Sequence, residues 1–153
     1  MITHSSSTAI LTKSQQVLQL LGSIHKKTVL VLIDSGCSTN FVSTALVHKM
    51  NLPTVPSPRH FDVELADGSL SHCTTLVPKL SIRIQKYRDK IDFDIMPLSR
   101  YDMILGQPWL YEYDPLISFR NHSLQFVQNG NLVELSGIRD QTQVPSISAL
   151  QAK

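Results

Sequence analysis

The sequence predicts an all-β domain, a barrel or a sandwich, with one or two helices. Three observations point there. Short apolar runs recur with turn signals about every 8–12 residues, the rhythm of linked short strands. Asp67-Gly68 and Asn129-Gly130 lie between such runs, and these dipeptides favour tight hairpins. Helical signals are few: the stretch after Asn40, by spacing, Pro108, which is well placed to open a short helix, and Gln16 to Ile24, whose pattern fits a short helix or a strand. The chain has 153 residues, 42% hydrophobic and 17% charged, which suits one domain with a core rather than a disordered polymer.

Taken in order, residues 1–15 are rich in Ser and Thr and read as a flexible linker. Val17, Leu18, Leu20, Leu21 and Ile24 precede the polar turn His25-Lys26-Lys27, and a second aliphatic run follows, so the pair is read as a hairpin. Asn40 to Met50 has helical spacing at Phe41, Val42, Ala45, Leu46 and Met50, with Ser38, Thr39 or Asn40 as N-cap and Pro53 just past the end. Pro53, Pro56 and Pro58 impose an extended connection. Phe61 to Leu65 alternates into Ala66-Asp67-Gly68-Ser69 and returns from Leu70 to Leu76, a hairpin with a polar tip. Leu80-Ile82-Ile84 and Ile91-Phe93-Ile95 form a further hairpin with one buried and one charged face. Met103 to Gly106 is a short apolar run ending in glycine, followed by Pro108-Trp109-Leu110. Leu116–Phe119, Leu124–Val127 and Leu132–Leu135 are the last strands, and from Ser136 the chain is polar and expected to be loosely held.

The chemistry concentrates at Val29-Leu30-Val31-Leu32-Ile33-Asp34-Ser35-Gly36. Five aliphatic residues read as a strand buried on both faces. An acid at its end would be costly to bury unless a site uses it. Ser35 offers local hydrogen bonding, and Gly36 permits a turn closed to other residues. Two other acids compete with Asp34. Asp67 fits a turn made by its own side chain, and Asp102 fits a structural partner of the strand it precedes.

Charge and cysteine narrow the classes. A net charge of +2 gives no electrostatic case for nucleic acid, and the basic residues are scattered apart from Lys86, Arg88 and Lys90. No apolar run approaches the roughly 20 residues needed to span a bilayer. Met1 to Ser7 lacks the pattern of a secretory signal, so an intracellular, cytoplasmic protein is expected. Cys37 and Cys73 do not make a disulfide framework, and Cys37 reads as a core thiol. With His72 they lack paired zinc-ligand spacing, so no metal and no cofactor is expected.

Four segments in this order resemble the retropepsin family, especially the protease of gypsy-type long-terminal-repeat retrotransposons. Leu32 to Phe41 resembles its catalytic loop, and Val63 to Ser69 its flap. Tyr101 to Leu110 resembles the hydrophobic-hydrophobic-glycine strand with its short helix, and Pro115 to Phe119 the strand after it. The resemblance covers residues 16–135, and the tail from 136 to 153 resembles a polyprotein linker toward a following domain. Serine stands where threonine is more frequent after the aspartate, and the flap tip has one glycine rather than several.

The resemblance implies a closed acid-protease barrel and an aspartic endopeptidase for retrotransposon polyprotein processing. It implies Asp34 as catalytic acid, with Ser35 and Gly36 supporting the loop. Leu65, Ala66, Asp67, Gly68 and Ser69 would close over an extended peptide, and Ile104, Leu105 and Gly106 would pack behind the loop. The chain carries one Asp-Ser-Gly and is about half the length of a two-lobed enzyme, so it implies a homodimer, with no nucleic acid or membrane partner for this domain. The alternatives are a catalytically silent domesticated module for dimerisation or peptide binding, and a cellular protease of the proteasome-shuttle type.

Overall fold

The structure, a computed structural model, describes residues 18–64 and 67–139. The expected linker at 1–15, all but residues 136–139 of the linker expected at 136–153, and the expected flap residues Leu65 and Ala66 lie outside the described residues. β1 (Gln19–Ile24) and β2 (Lys27–Ile33) form the first hairpin, with Gln19 opposite Leu32 and Ile24 opposite Lys27. Its turn, His25-Lys26, has two positive φ angles, 51° and 70°, the geometry of a tight turn that matches strand twist. Val31, Leu32 and Ile33 are all buried, as a strand covered on both faces requires.

β3 (Phe41–Ser43) and α1 (Thr44–Met50) correct the helix expected from Asn40. The first three residues are strand because they lie between β6 (Tyr87–Met96), in parallel, and β7 (Met103–Leu105), in antiparallel. Ser43 is the N-cap, its Oγ accepting from the Leu46 N–H at 3.0 Å. β-branched and aromatic residues at 41 and 42 satisfy a strand as well as a helix face, and the sheet on both sides decides.

β4 (Val55–Glu64) takes in most of the proline segment, which a sheet edge tolerates because proline has no N–H to donate. It pairs with the long β5 (Leu70–Ile84), which pairs in turn with β6 and shifts register between Val77 and Leu80. The sheet runs β1-β2-β7-β3-β6-β5-β4, and β1 also meets β5 at Ser23 opposite Arg83. Six strands therefore close on themselves, with β4 outside the ring. At this closure a Cβ on Gly22 would stand 2.7 Å from the Arg83 carbonyl oxygen, so only glycine lets the strands meet.

α2 (Gln107–Tyr113) opens with Pro108 in its first turn and buries Trp109. β8 (Leu116–Ser118), β9 (Ser123–Gln128) and β10 (Asn131–Ser136) form a separate three-stranded sheet. Pairing continues past residue 135: Gly137 donates to the His122 carbonyl and Ile138 to the Gln19 carbonyl, both at 2.8 Å.

Two hydrophobic clusters result. The larger fills the barrel and packs Trp109 and Phe126 against Tyr87, with the Trp109 Nε1–H donating to the Tyr87 hydroxyl at 2.7 Å. The smaller gathers Leu32, Cys37, Phe41, Val63, Cys73, Met96 and Ile104, from the strands on either side of the Asp34 loop and from the β4–β5 hairpin. The second cluster positions the site.

Candidate active site

β2 and β7 run parallel, pairing Val31 with Met103, Leu32 with Ile104 and Ile33 with Leu105. The ladder carries on one step, the Asp34 N–H donating to the Leu105 carbonyl at 3.1 Å. There the two chains part. Asp34 enters a turn closed by the Cys37 N–H on its carbonyl, 3.2 Å, and Gly106 enters α2.

The parting is locked by short contacts. The Gly106 N–H donates to Asn40 Oδ1 at 2.8 Å, and the Gln107 N–H donates to the Cys37 carbonyl at 2.9 Å. The Gln107 Nε2–H reaches the Ser35 carbonyl at 3.0 Å. A Cβ on Gly106 would lie 2.2 Å from the Thr39 carbonyl oxygen and 2.6 Å from that of Cys37, so the loop can sit here only over glycine.

The carboxylate is held by its own loop. The Gly36 N–H donates to Asp34 Oδ1 at 2.8 Å, and the Cys37 thiol lies 3.4 Å from Oδ2, a weak donor contact. Asp34 is half-buried, Ser35 and Gly36 are exposed, and Cys37 is buried beneath them. Burial, with the Asp34 charge beside it, pushes the Cys37 thiol well above its ordinary pKa, so it stays a protonated core group. Asp34 thus has a fixed orientation and a face open to solvent. Such a group can exchange protons with water or with a second acid.

The competing acids are engaged elsewhere. Asp102 Oδ2 accepts from the Leu30 N–H at 2.8 Å, and its own N–H donates to the Leu30 carbonyl at 3.0 Å, which bonds its loop to β2. Asp67 Oδ1 accepts from both the N–H and the hydroxyl of Ser69, at 2.9 and 2.6 Å. Those bonds hold its carboxyl below the usual carboxylate range. The arms of the β4–β5 hairpin pair Phe61 with Cys73 and Glu64 with Leu70, and Asp62 meets His72 across them. Phe61 packs edge-to-face on Phe41 at 6.0 Å, tying the β4–β5 hairpin to the cluster under the loop.

One residue escaped the sequence reading. Asp94 is 1% exposed, although alternation along β6 assigned it to a charged outer face. Its carboxylate accepts from Thr39 Oγ1 at 2.8 Å, Ser57 Oγ at 2.9 Å, and Arg59 Nε and Nη2 at 3.1 and 3.0 Å. It therefore joins the end of the Asp34 loop to the first half of β4. No periodic signal separates Asp94 from the exposed Asp92; β6 becomes buried on both faces only where β3 lies alongside. Among the described residues, no group of three or more His, Cys, Asp or Glu converges as a metal site.

With this geometry in view, the comparisons with known proteins are direct. The family model of the PEG10/RTL1 protease domain matches residues 30–132, the span from β2 through the start of β10. The chain belongs to the PEG10/RTL1 protease domain family. That is a retropepsin-like family of gypsy origin, as the four segments suggested. The retroviral protease-like domain of Ddi1 from Leishmania major superposes with a TM-score of 0.58 at 14% identity, covering 84% of this chain and 98% of that one. At that identity the likeness speaks for the fold, a closed retroviral-protease-like barrel. A protein of unknown function from Legionella pneumophila matches more weakly, with a TM-score of 0.39, 13% identity, and 61% and 84% coverage of the two chains.

Proposed function

We propose that this protease domain is an aspartic endopeptidase that works as a homodimer, with Asp34 from each copy at the two-fold axis. The observation carrying this reading is the Asp34 loop: a half-buried carboxylate, oriented by the Gly36 N–H, at the tip of a strand pair braced by Gly106. Two such carboxylates facing each other cannot both be ionised, so the pair shares a proton and titrates as a unit. The ionised member takes a proton from water while its mate donates to the scissile carbonyl.

Three further features support a second copy. A single chain supplies one Asp-Ser-Gly. Among the described residues the exposed Ser35 hydroxyl makes no hydrogen bond, and in a dimer it would bond across the axis. β8 is a free edge of its sheet and leaves Leu116 70% and Phe119 73% exposed, an apolar border that a second copy would cover. Residues 65–69 would close over a substrate bound as an extended strand, with backbone hydrogen bonds giving affinity and side-chain pockets giving preference. The proposed substrate is the parent polyprotein, cut inside the cell, with flanking residues 1–15 and those beyond 139 acting as linkers. No cofactor enters this chemistry.

The test is a peptide-cleavage assay across pH and protein concentration. Activity is expected on the acid side of neutral, inhibited by pepstatin, and rising faster than linearly with concentration near the dimer dissociation constant. Tight binding of a statine peptide without cleavage at any pH or concentration would instead identify a silent binding module.

A further inference from the structure

The end of the barrel away from Asp34 carries a cleft of about 660 Å³ lined by His25, Lys26, Arg83, Arg88 and Lys90. The Asp34 loop leaves one end of β2 and this cleft adjoins the other. The seven residues between them span about 23 Å at the usual strand rise. In sequence, Lys26 lies far from the basic group at 86–90; barrel closure at Ser23 opposite Arg83 brings them together. Lys27 and Lys86 occupy the same hairpin ends, so six of the chain's 14 Lys and Arg gather here.

The register makes the clustering sharper. Arg83 stands directly opposite Arg88 on the outer face, and Lys90 is the next outward residue on β6. Like charges facing each other across a sheet destabilise it. Among the described residues none of these cations has a carboxylate partner. The one acid in the lining, Asp89, is engaged: its Oδ2 accepts from the Tyr87 and Tyr113 hydroxyls at 2.6 and 2.5 Å, and Oδ1 from the Lys90 N–H at 2.8 Å. The fold thus keeps a repulsive cationic pair in a concave surface without a direct ion pair, and the single charge of Asp89 leaves Lys26, Arg83, Arg88 and Lys90 in excess.

We propose that this cleft binds the phosphodiester backbone of single-stranded nucleic acid. The strands around it are closed into the barrel at β1–β5, so no free edge is offered to an acidic peptide adding itself as a strand. The arginine forks suit phosphate oxygens. Apart from the His25 imidazole the lining has no aromatic side chain, and with no Phe, Tyr or Trp platform for successive bases, recognition is by backbone charge and independent of sequence. This departs from the expectation drawn from net charge, because a total of +2 hides a local excess.

The test is fluorescence anisotropy of a labelled oligouridylate of about 12 nucleotides with the Asp34→Asn chain, which needs no protease activity. Binding is expected to weaken with salt at a log–log slope of about −3, the single-strand value for four neutralised phosphates. Arg83→Glu with Arg88→Glu should lose at least about tenfold in affinity at low salt and roughly halve the slope. Arg88→Ser removes one of the facing cations and should melt no lower than its parent while binding about threefold more weakly, which separates charge from folding. Lys49→Glu, on α1, should bind as the parent does. An absence of salt-dependent binding, an unchanged affinity in both arginine variants, or equal binding of an oligoglutamate of matched charge would overturn the proposal.

Discussion

Asp34 and Asp94 border the same loop and live in opposite surroundings. Asp34 begins it, half-buried, with one backbone N–H and one weak thiol donor, both from its own turn. Asp94 closes it from below, 1% exposed, with four donor contacts from Thr39, Ser57 and Arg59. A carboxylate whose lone pairs are all engaged by the fold has none left for a reaction, and a buried one must be so satisfied. A carboxylate oriented by local contacts alone, with an open face, retains capacity for chemistry. The contrast supports the chemistry proposed for Asp34 and an architectural role for Asp94, and it can be broken by substitution.

The largest effect is expected at Asp34. Asp34→Asn keeps an oxygen for the Gly36 N–H, so melting should move little, while peptide cleavage falls by at least about 10³-fold, the scale of losing an acid–base group. Full cleavage by a clean Asp34→Asn preparation would end the assignment. Asp94→Ala should show the reverse emphasis. Thr39 and Ser57 lose a buried acceptor, while Arg59, 47% exposed, rehydrates and adds little. We expect about 3 kcal/mol of destabilisation, or roughly 10 °C in melting midpoint. Removal of Asp94 without thermal cost would show that the buried network is not structural.

Next in size is Gly106→Ala. The new methyl would meet the Thr39 and Cys37 carbonyls, both backbone, so the loop or β7 must shift. Overpacking of this kind costs about 1–3 kcal/mol. Because the atoms displaced belong to the Asp34 loop, cleavage should fall further than stability alone accounts for. A measured activity per folded molecule equal to the parent's would contradict the bracing role of this glycine.

How much of this was legible follows from range of interaction. The Asp34 strand, its turn, the flap hairpin and the role of Asp102 were readable because each rests on neighbours in sequence or on one short pattern. The start of α1 was not. Residues 41–43 satisfy both periods, and only pairing with β6 and β7 selects strand. Asp94 and the basic cleft were hidden for the same reason. Thr39 meets Asp94 through the pairing of β3 with β6, Ser57 and Arg59 reach it from the edge strand β4, and Lys26 meets Arg83 and Arg88 through closure at β1–β5.

A smaller effect concerns pH. Burial pushes the Cys73 thiol up to about 11 and the Tyr113 hydroxyl up to about 12, and raises Cys37 and Tyr87 as well. Each raised group favours the protonated folded state. Its contribution is fully present below the unfolded pKa, about 8.5 for a thiol and 10 for tyrosine, and is lost as pH rises through the folded value. Chemical denaturation should therefore give flat stability from neutral to about pH 8 and a steady loss from 9 to 12. In Cys37→Ala with Cys73→Ala the loss should begin about one pH unit later, where tyrosine takes over.

The smallest effect belongs to Asp67, and it tests Asp34 from the other side. Its carboxyl is held low mainly by Ser69 and is fully exposed, so solvent and salt screen the gain. A lowered carboxyl contributes stability above its unfolded pKa, about 3.9, and the contribution disappears as pH falls through the folded value. At neutral pH Asp67→Asn keeps an acceptor for the Ser69 N–H, and the melting midpoint should move by less than about 1 °C. Cleavage should survive, with any change confined to KM through the flap tip. If Asp67→Asn instead abolished kcat as Asp34→Asn is expected to, the catalytic carboxylate would lie on the flap hairpin, and the distinction drawn between the two carboxylates bordering the loop would lose its functional meaning.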